Sequence, residues 1–151
     1  MRRVLSLSAV LFFFLLSIDR ACAAAPNIAG RWKVYTTLVS AYDPTNPDYQ
    51  PGDRRLEKWV VRARKKTATL RTPAGTIQGS KVGKAWVFES LYDTGWGVVI
   101  KIHLVARVVG GRLRGTNEIR YYDSRFYNAA WGGYYYILGN DALSFRGTRI
   151  R

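Results

Sequence analysis

From residue 26 onward, apolar and polar residues alternate with period two, and no 3.6-residue stripe of useful length interrupts them. The longest run is Val98 to Val108. Val98, Ile100, Ile102, Leu104, Ala106 and Val108 share one face, while Val99, Lys101, His103, Val105 and Arg107 share the other. Such alternation predicts strands with one face on a core and one toward solvent. Gly110-Gly111 then separates this run from a second, in which Leu113, Gly115, Asn117, Ile119 and Tyr121 point in. A Gly-Gly between two alternating runs predicts a tight hairpin.

The rest of the chain reads the same way. Ile28 to Val39 directs Ile28, Gly30, Trp32, Val34, Thr36 and Leu38 inward. Glu57 to Ala63 directs Trp59 and Val61 inward, and Lys84 to Leu91 directs Trp86 and Phe88 inward. Trp131 to Leu138 is expected to turn Tyr134, Tyr136 and Leu138 inward, and Asp141 to Ile150 does so for Leu143, Phe145, Gly147 and Arg149. Thr67 to Ser80 reads either as one bent strand or as two short ones around Thr72-Pro73-Ala74-Gly75. An apolar-x-Gly phrase recurs at Ile28-Ala29-Gly30, Ile77-Gln78-Gly79, Leu113-Arg114-Gly115 and Phe145-Arg146-Gly147. Glycine inside a strand marks a bend or a close approach. About eight or nine strands in sequence order predict an all-β fold, a single up-and-down antiparallel barrel over residues 27–151.

Gly30-Arg31-Trp32 on the first strand resembles the Gly-x-Trp start of calycin barrels such as lipocalins, and the repeated apolar-x-Gly phrase is similar to the strand starts of avidin-type barrels. The resemblance implies a Trp closing one barrel end beneath an Arg of the last strand, a part that Arg149 would fill by a cation–π contact. It also implies a cup for a small apolar or amphipathic molecule. Neither a biotin-binding constellation nor the second lipocalin motif is present.

The first residues predict the compartment. Arg2 and Arg3 precede an apolar run from Val4 to Ile18, and Ala21-Cys22-Ala23-Ala24 supplies small residues for cleavage. This is the grammar of a secretory signal peptide over residues 1–23. The run is shorter than the about 20 apolar residues of a membrane helix, so an exported protein, not an integral membrane protein, is expected. The only cysteine, Cys22, falls in that segment, and Asp19 and Arg20 oppose a lipobox. A mature chain without disulfides points to a bacterial periplasmic or secreted protein. Losing Arg2, Arg3, Arg20 and Asp19 from 24 basic and 10 acidic residues leaves a net charge of +12. Outside the cell, such a surface predicts anionic glycans, lipids or acidic proteins as partners, with no nucleic acid expected.

Candidate chemistry is sparse. The single histidine, His103, stands on a solvent face between Lys101 and Arg107, and His/Cys metal ligation is excluded by count. Glu57, beside Trp59, and Asp141 are the carboxylates nearest the inward register and the only basis for a hydrolase reading. Asp43-Pro44-Thr45-Asn46-Pro47-Asp48 with Asp53 does not match a calcium loop. The expectation is therefore a non-enzymatic binding protein without a cofactor. Its ligand site draws on Trp59, Trp86, Trp96, Tyr121, Trp131 and Tyr136. The alternative is an interaction module acting through aromatic loops and a basic group formed by Arg31, Lys33, Lys58, Arg62, Arg64, Lys65 and Lys66. Whether the barrel is hollow stays open, since Trp32, Trp59, Trp86, Phe88, Tyr121, Tyr134, Tyr136 and Phe145 together would suffice to fill an eight-stranded bore.

Overall fold

The computed structural model describes residues 27–43, 46, 48–130 and 132–151; the expected signal segment and Trp131 lie outside them. Eight long strands close into one barrel. In chain order they are β1 (Gly30–Ser40), β2 (Arg54–Arg64), β3 (Thr67–Thr72), β4 (Gly75–Val82), β5 (Ala85–Asp93), β6 (Val98–Val109) and β7 (Arg112–Asp123). A small ribbon of β8 (Tyr127–Asn128) and β9 (Gly133–Tyr134) follows, and β10 (Ile137–Ile150) completes the wall. Neighbours are antiparallel throughout, and β10 closes the barrel against β1. The all-β, up-and-down barrel expected from the alternation is therefore the fold. Thr67–Ser80 proves to be two strands, because Thr72 to Gly75 makes a two-residue hairpin turn.

One segment departs from the expectation. Residues 132–136 do not form a barrel strand; within them Gly133–Tyr134 pairs with the ribbon partner Tyr127–Asn128, while Ile137 and Leu138 belong to the start of β10. Eight strands already close the wall, which leaves no place for a ninth. The segment between β7 and β10 instead folds back on the outside. Val99 and Tyr122, opposed on outward positions of β6 and β7, are both buried, and Tyr134 packs on Tyr122 with ring centroids 6.3 Å apart. Val99 thus leaves the solvent face that the alternation assigns to it.

The core is the inward row of every strand. Trp32, Val34, Trp59, Val61, Leu70, Trp86, Phe88, Leu104, Leu113 and Phe145 belong to one buried cluster. Two inward glycines make room for rings. Gly79 lies opposite Phe88, and Gly115 lies opposite Phe145; a Cβ at either would collide with that ring and with a neighbouring carbonyl. Alternating small and large side chains is how a narrow barrel fills its bore.

The barrel's two ends differ. At one end the turns are tight: Lys65-Lys66, Gly83-Lys84 and Gly110-Gly111. Here Ile28 plugs the bore, and its carbonyl accepts the Trp32 indole N–H at 2.9 Å. The Arg149 guanidinium lies 4.8 Å from the Trp32 ring centroid and donates to the Asn27 carbonyl at 2.6 Å. The Trp–Arg contact that the Gly-x-Trp resemblance implies is present. At the other end lie the long connections 41–53, 94–97 and 124–136.

Placing a methyl group at residue 115 tests the small–large fit. Gly115→Ala is expected to lower the unfolding free energy by about 1–3 kcal/mol, measured by urea denaturation. An unchanged midpoint would show that the Phe145 ring and the Val105 carbonyl can both move aside.

Candidate functional site: a cup in the open half of the barrel

The closed half of the bore is filled, and the open half is not. Toward the open end the inward residues leave a cup of about 210 Å³. Its buried base is made by Trp59, Ile77 and Leu104. Ile102, Ile119 and Leu143 continue the apolar wall, and Thr36, Glu57 and Asn117 bring polar atoms into it. Arg55, Thr72, Ala74 and Tyr49 form the rim. The hollow-or-filled alternatives therefore each describe half of the barrel.

Polar groups at inward positions need partners, since a buried unpaired group costs about 1–3 kcal/mol. Glu57 and Trp59 are two residues apart on β2, so both face inward, and the indole N–H donates to Glu57 Oε2 at 2.6 Å. The Trp59 ring also packs on Phe145 at 4.9 Å. Asn117 sits on β7 opposite Leu104 of β6 and Leu143 of β10. Its Oδ1 is buried with no hydrogen-bond partner, the one such side-chain atom found among the described residues.

The mouth is built from the 41–53 loop. Tyr42 N–H donates to Asp141 Oδ1 at 2.6 Å, and the Tyr121 hydroxyl donates to Asp141 Oδ2 at 2.7 Å. Tyr42 stacks on Tyr121 at 5.3 Å and lies over Gly139, where a Cβ would strike its ring. Burial, and then the bond to Asp141, hold the Tyr121 phenol well above its ordinary range. Tyr49, with the Arg55 guanidinium 5.1 Å from its ring centroid, is also raised, first by burial and then by Asp141. Both phenols stay protonated at neutral pH, and that of Tyr121 donates to Asp141.

The remaining connections are tied together at this end. Ser124 N–H donates to the Gly97 carbonyl at 3.0 Å, and Asp123 N–H to the Tyr136 carbonyl at 3.1 Å. Arg125 clasps Asp123 through Nε at 2.9 Å and through its own backbone N–H at 3.0 Å. These bonds hold the Asp123 carboxyl down at about 2.

The predicted ligand residues divide. Trp59 lies in the cup and Tyr121 at its mouth. Trp86 is buried in the filled half, opposite Lys81 and Ala106 near the tight turns, so it braces the core and does not line the cup. Trp96 is 90% exposed at a loop tip. Tyr136 is half exposed against Phe126, outside the bore, because its segment is not a barrel strand. Trp131 is outside the described residues. The basic group Arg31, Lys33, Lys58, Arg62, Arg64, Lys65 and Lys66 is exposed on β1, β2 and their following turn, with Lys33 directly opposite Lys58. His103 lies on the outer face, 3.0 Å from Glu89.

Sequence reasoning weighted aromatics and so missed Asn117, Thr36 and the aliphatic wall as site residues. The available signal was a polar residue interrupting an apolar inward row, as Asn117 does between Gly115 and Ile119. No family model, curated protein or solved structure matches the chain.

The clasp at the open end carries a pH signature. A carboxyl depressed in the folded state stabilises it above the ordinary carboxylate range and loses that contribution as pH falls through about 2. NMR titration of the side-chain carboxyls should place the Asp123 midpoint near 2, and Arg125→Gln should raise it part of the way toward about 4, since the backbone N–H of residue 125 still donates to the carboxylate. A midpoint near 4 in the unsubstituted protein would mean that the clasp is open in solution.

Proposed function

We propose that this protein is an exported, non-catalytic binding protein that holds a small amphipathic molecule in the open half of its barrel. The observation carrying this reading is the buried Oδ1 of Asn117, unpartnered beside the apolar Ile77, Ile102, Leu104, Ile119 and Leu143, whereas the cup's other inward polar groups, Thr36 and Glu57, are bonded to Arg55 and Trp59. A buried acceptor in that setting calls for a donor on the guest. The guest therefore has an apolar body and a hydroxyl or amino group reaching the level of Asn117. The cup's volume of about 210 Å³ is under the roughly 300–1,000 Å³ usual for ligand pockets. The guest is accordingly small, or its far end passes between Tyr49 and Arg55 into the mouth.

The environment supports binding over catalysis. Glu57 is engaged by the Trp59 indole, and Asp141 by Tyr42 and Tyr121, so each inward carboxylate serves as an acceptor that positions an aromatic residue. Among the described residues no helix is long and apolar enough to cross a membrane. Outward mid-strand positions such as Lys33, Lys58, Arg114 and Arg146 are charged and exposed, unlike the apolar band of a lipid-spanning barrel.

The test is native mass spectrometry of protein purified without detergent, run beside Asn117→Leu. The unsubstituted protein should carry an adduct that is lost on denaturation. The leucine variant removes an unsatisfied buried acceptor at similar volume, so it should be more stable by about 1 kcal/mol and should lose the adduct. A variant that is equally stable and keeps the adduct would sink the role given to Asn117.

A further inference from the structure

The outer wall carries a second pattern that the cup does not use. Across four neighbouring strands, directly opposed residues read Arg107 (β6), Arg114 (β7), Arg146 (β10) and Tyr35 (β1). All four are exposed, Tyr35 by 49%. Like charges placed directly opposite on adjacent strands repel, and here three stand in a row. The next outward row toward the open end reads Thr116, Ser144, Thr37 and Arg54. On β10, β1 and β2 a groove of about 350 Å³ follows these rows, lined by Tyr35, Thr37, Arg54, Ser144 and Arg146. No aspartate or glutamate occupies an outward position of β1, β2 or β10. On β7 the outward carboxylate Glu118 is held by Arg120 through two hydrogen bonds.

A row of unneutralised arginines is stable only at a cost, and it matches a ligand with evenly spaced negative charges. Neighbouring strands are about 4.8 Å apart, and a pyranose residue repeats over nearly the same length. The hydroxyls of Thr37 and Ser144 suit sugar hydroxyls, and the exposed Tyr35 ring offers a face for one sugar to stack on. A single-stranded nucleic acid would ask for a series of aromatic platforms, and this surface has one ring. We infer that the groove beside the Arg107–Arg114–Arg146 row binds a linear polysaccharide carrying one anionic group per sugar residue. This site is separate from the cup and does not depend on it.

The experiment measures binding of polygalacturonate by calorimetry at low salt. Neutral dextran and a single-stranded oligonucleotide of equal charge serve as comparison ligands. The Arg107→Gln/Arg114→Gln/Arg146→Gln triple variant should bind polygalacturonate on the order of tenfold more weakly or worse. Tyr35→Ala should weaken polygalacturonate binding, and Asn117→Leu should leave it unchanged. Moderate salt should weaken binding steeply in the unsubstituted protein. Arg114→Gln alone should raise Tm at low salt, with the gain shrinking as salt is added, because it relieves the repulsion. The inference falls if the unsubstituted protein does not bind polygalacturonate, or if the triple variant binds it normally. It also falls if the oligonucleotide binds at least as tightly, if Tyr35→Ala binds polygalacturonate normally, or if Arg114→Gln lowers Tm.

Discussion

Closing eight strands into a barrel leaves a bore barely wider than the side chains that point into it, and every other feature of this molecule follows from how that narrow space is allotted. One half is packed solid. Phe88 and Phe145 lie over Gly79 and Gly115, Trp32 is fully buried, and Arg149 covers it from the last strand. Because this half is filled by rings fitted to glycines, neither partner tolerates enlargement. The other half takes smaller and branched residues at the same register positions, and the unfilled space collects there as the cup.

Strand parity decides which end opens. An even number of strands in an up-and-down barrel sends alternate connections to opposite ends. The connections at the closed end are two-residue turns, and the long ones all fall at the open end. Tyr42, Tyr49, Trp96 and Phe126 therefore lie at one end of the barrel although they come from three separate loops, and of these Tyr42 and Tyr49 line the mouth. Their hydrogen bonds to Asp141, Gly97 and Asp123 make the rim an ordered structure in place of free loops. Tyr121 joins cup and rim, since its ring meets Tyr42 and its hydroxyl meets Asp141.

Charge is divided between the inside and the outside. Glu57 and Asp141 lie at inward positions and are hydrogen-bonded, whereas β1, β2 and β10 present cations on their outward positions. This separation lets the two proposed sites act on different chemistries. Under the two proposals, an amphipathic guest would enter through the mouth and meet Asn117, and a polyanion would lie along the wall away from the bore. Neither site uses the residues that close the other end of the barrel.

Alternation by itself determined the strands, their inward faces and the barrel class, because a period of two and turn-forming glycines are local properties of the chain. It also placed Trp59, Glu57, Asn117 and Leu143 inward, whereas the contact of Arg149 with Trp32 was implied by the resemblance that Gly30-Arg31-Trp32 carries. Depth along the bore is not local. Trp86 and Trp59 have the same inward parity, yet one sits in the packed half and the other in the cup, since their distances from the tight turns differ. Tyr136 and Val99 were misplaced for a related reason: only closure at eight strands forces the 124–136 segment outside, where it buries what alternation leaves exposed. The arginine row is likewise invisible in one dimension. Arg107, Arg114 and Arg146 become neighbours only through the pairing register of three strands. Local periodicity reports which way a residue faces, and tertiary register alone decides what it faces.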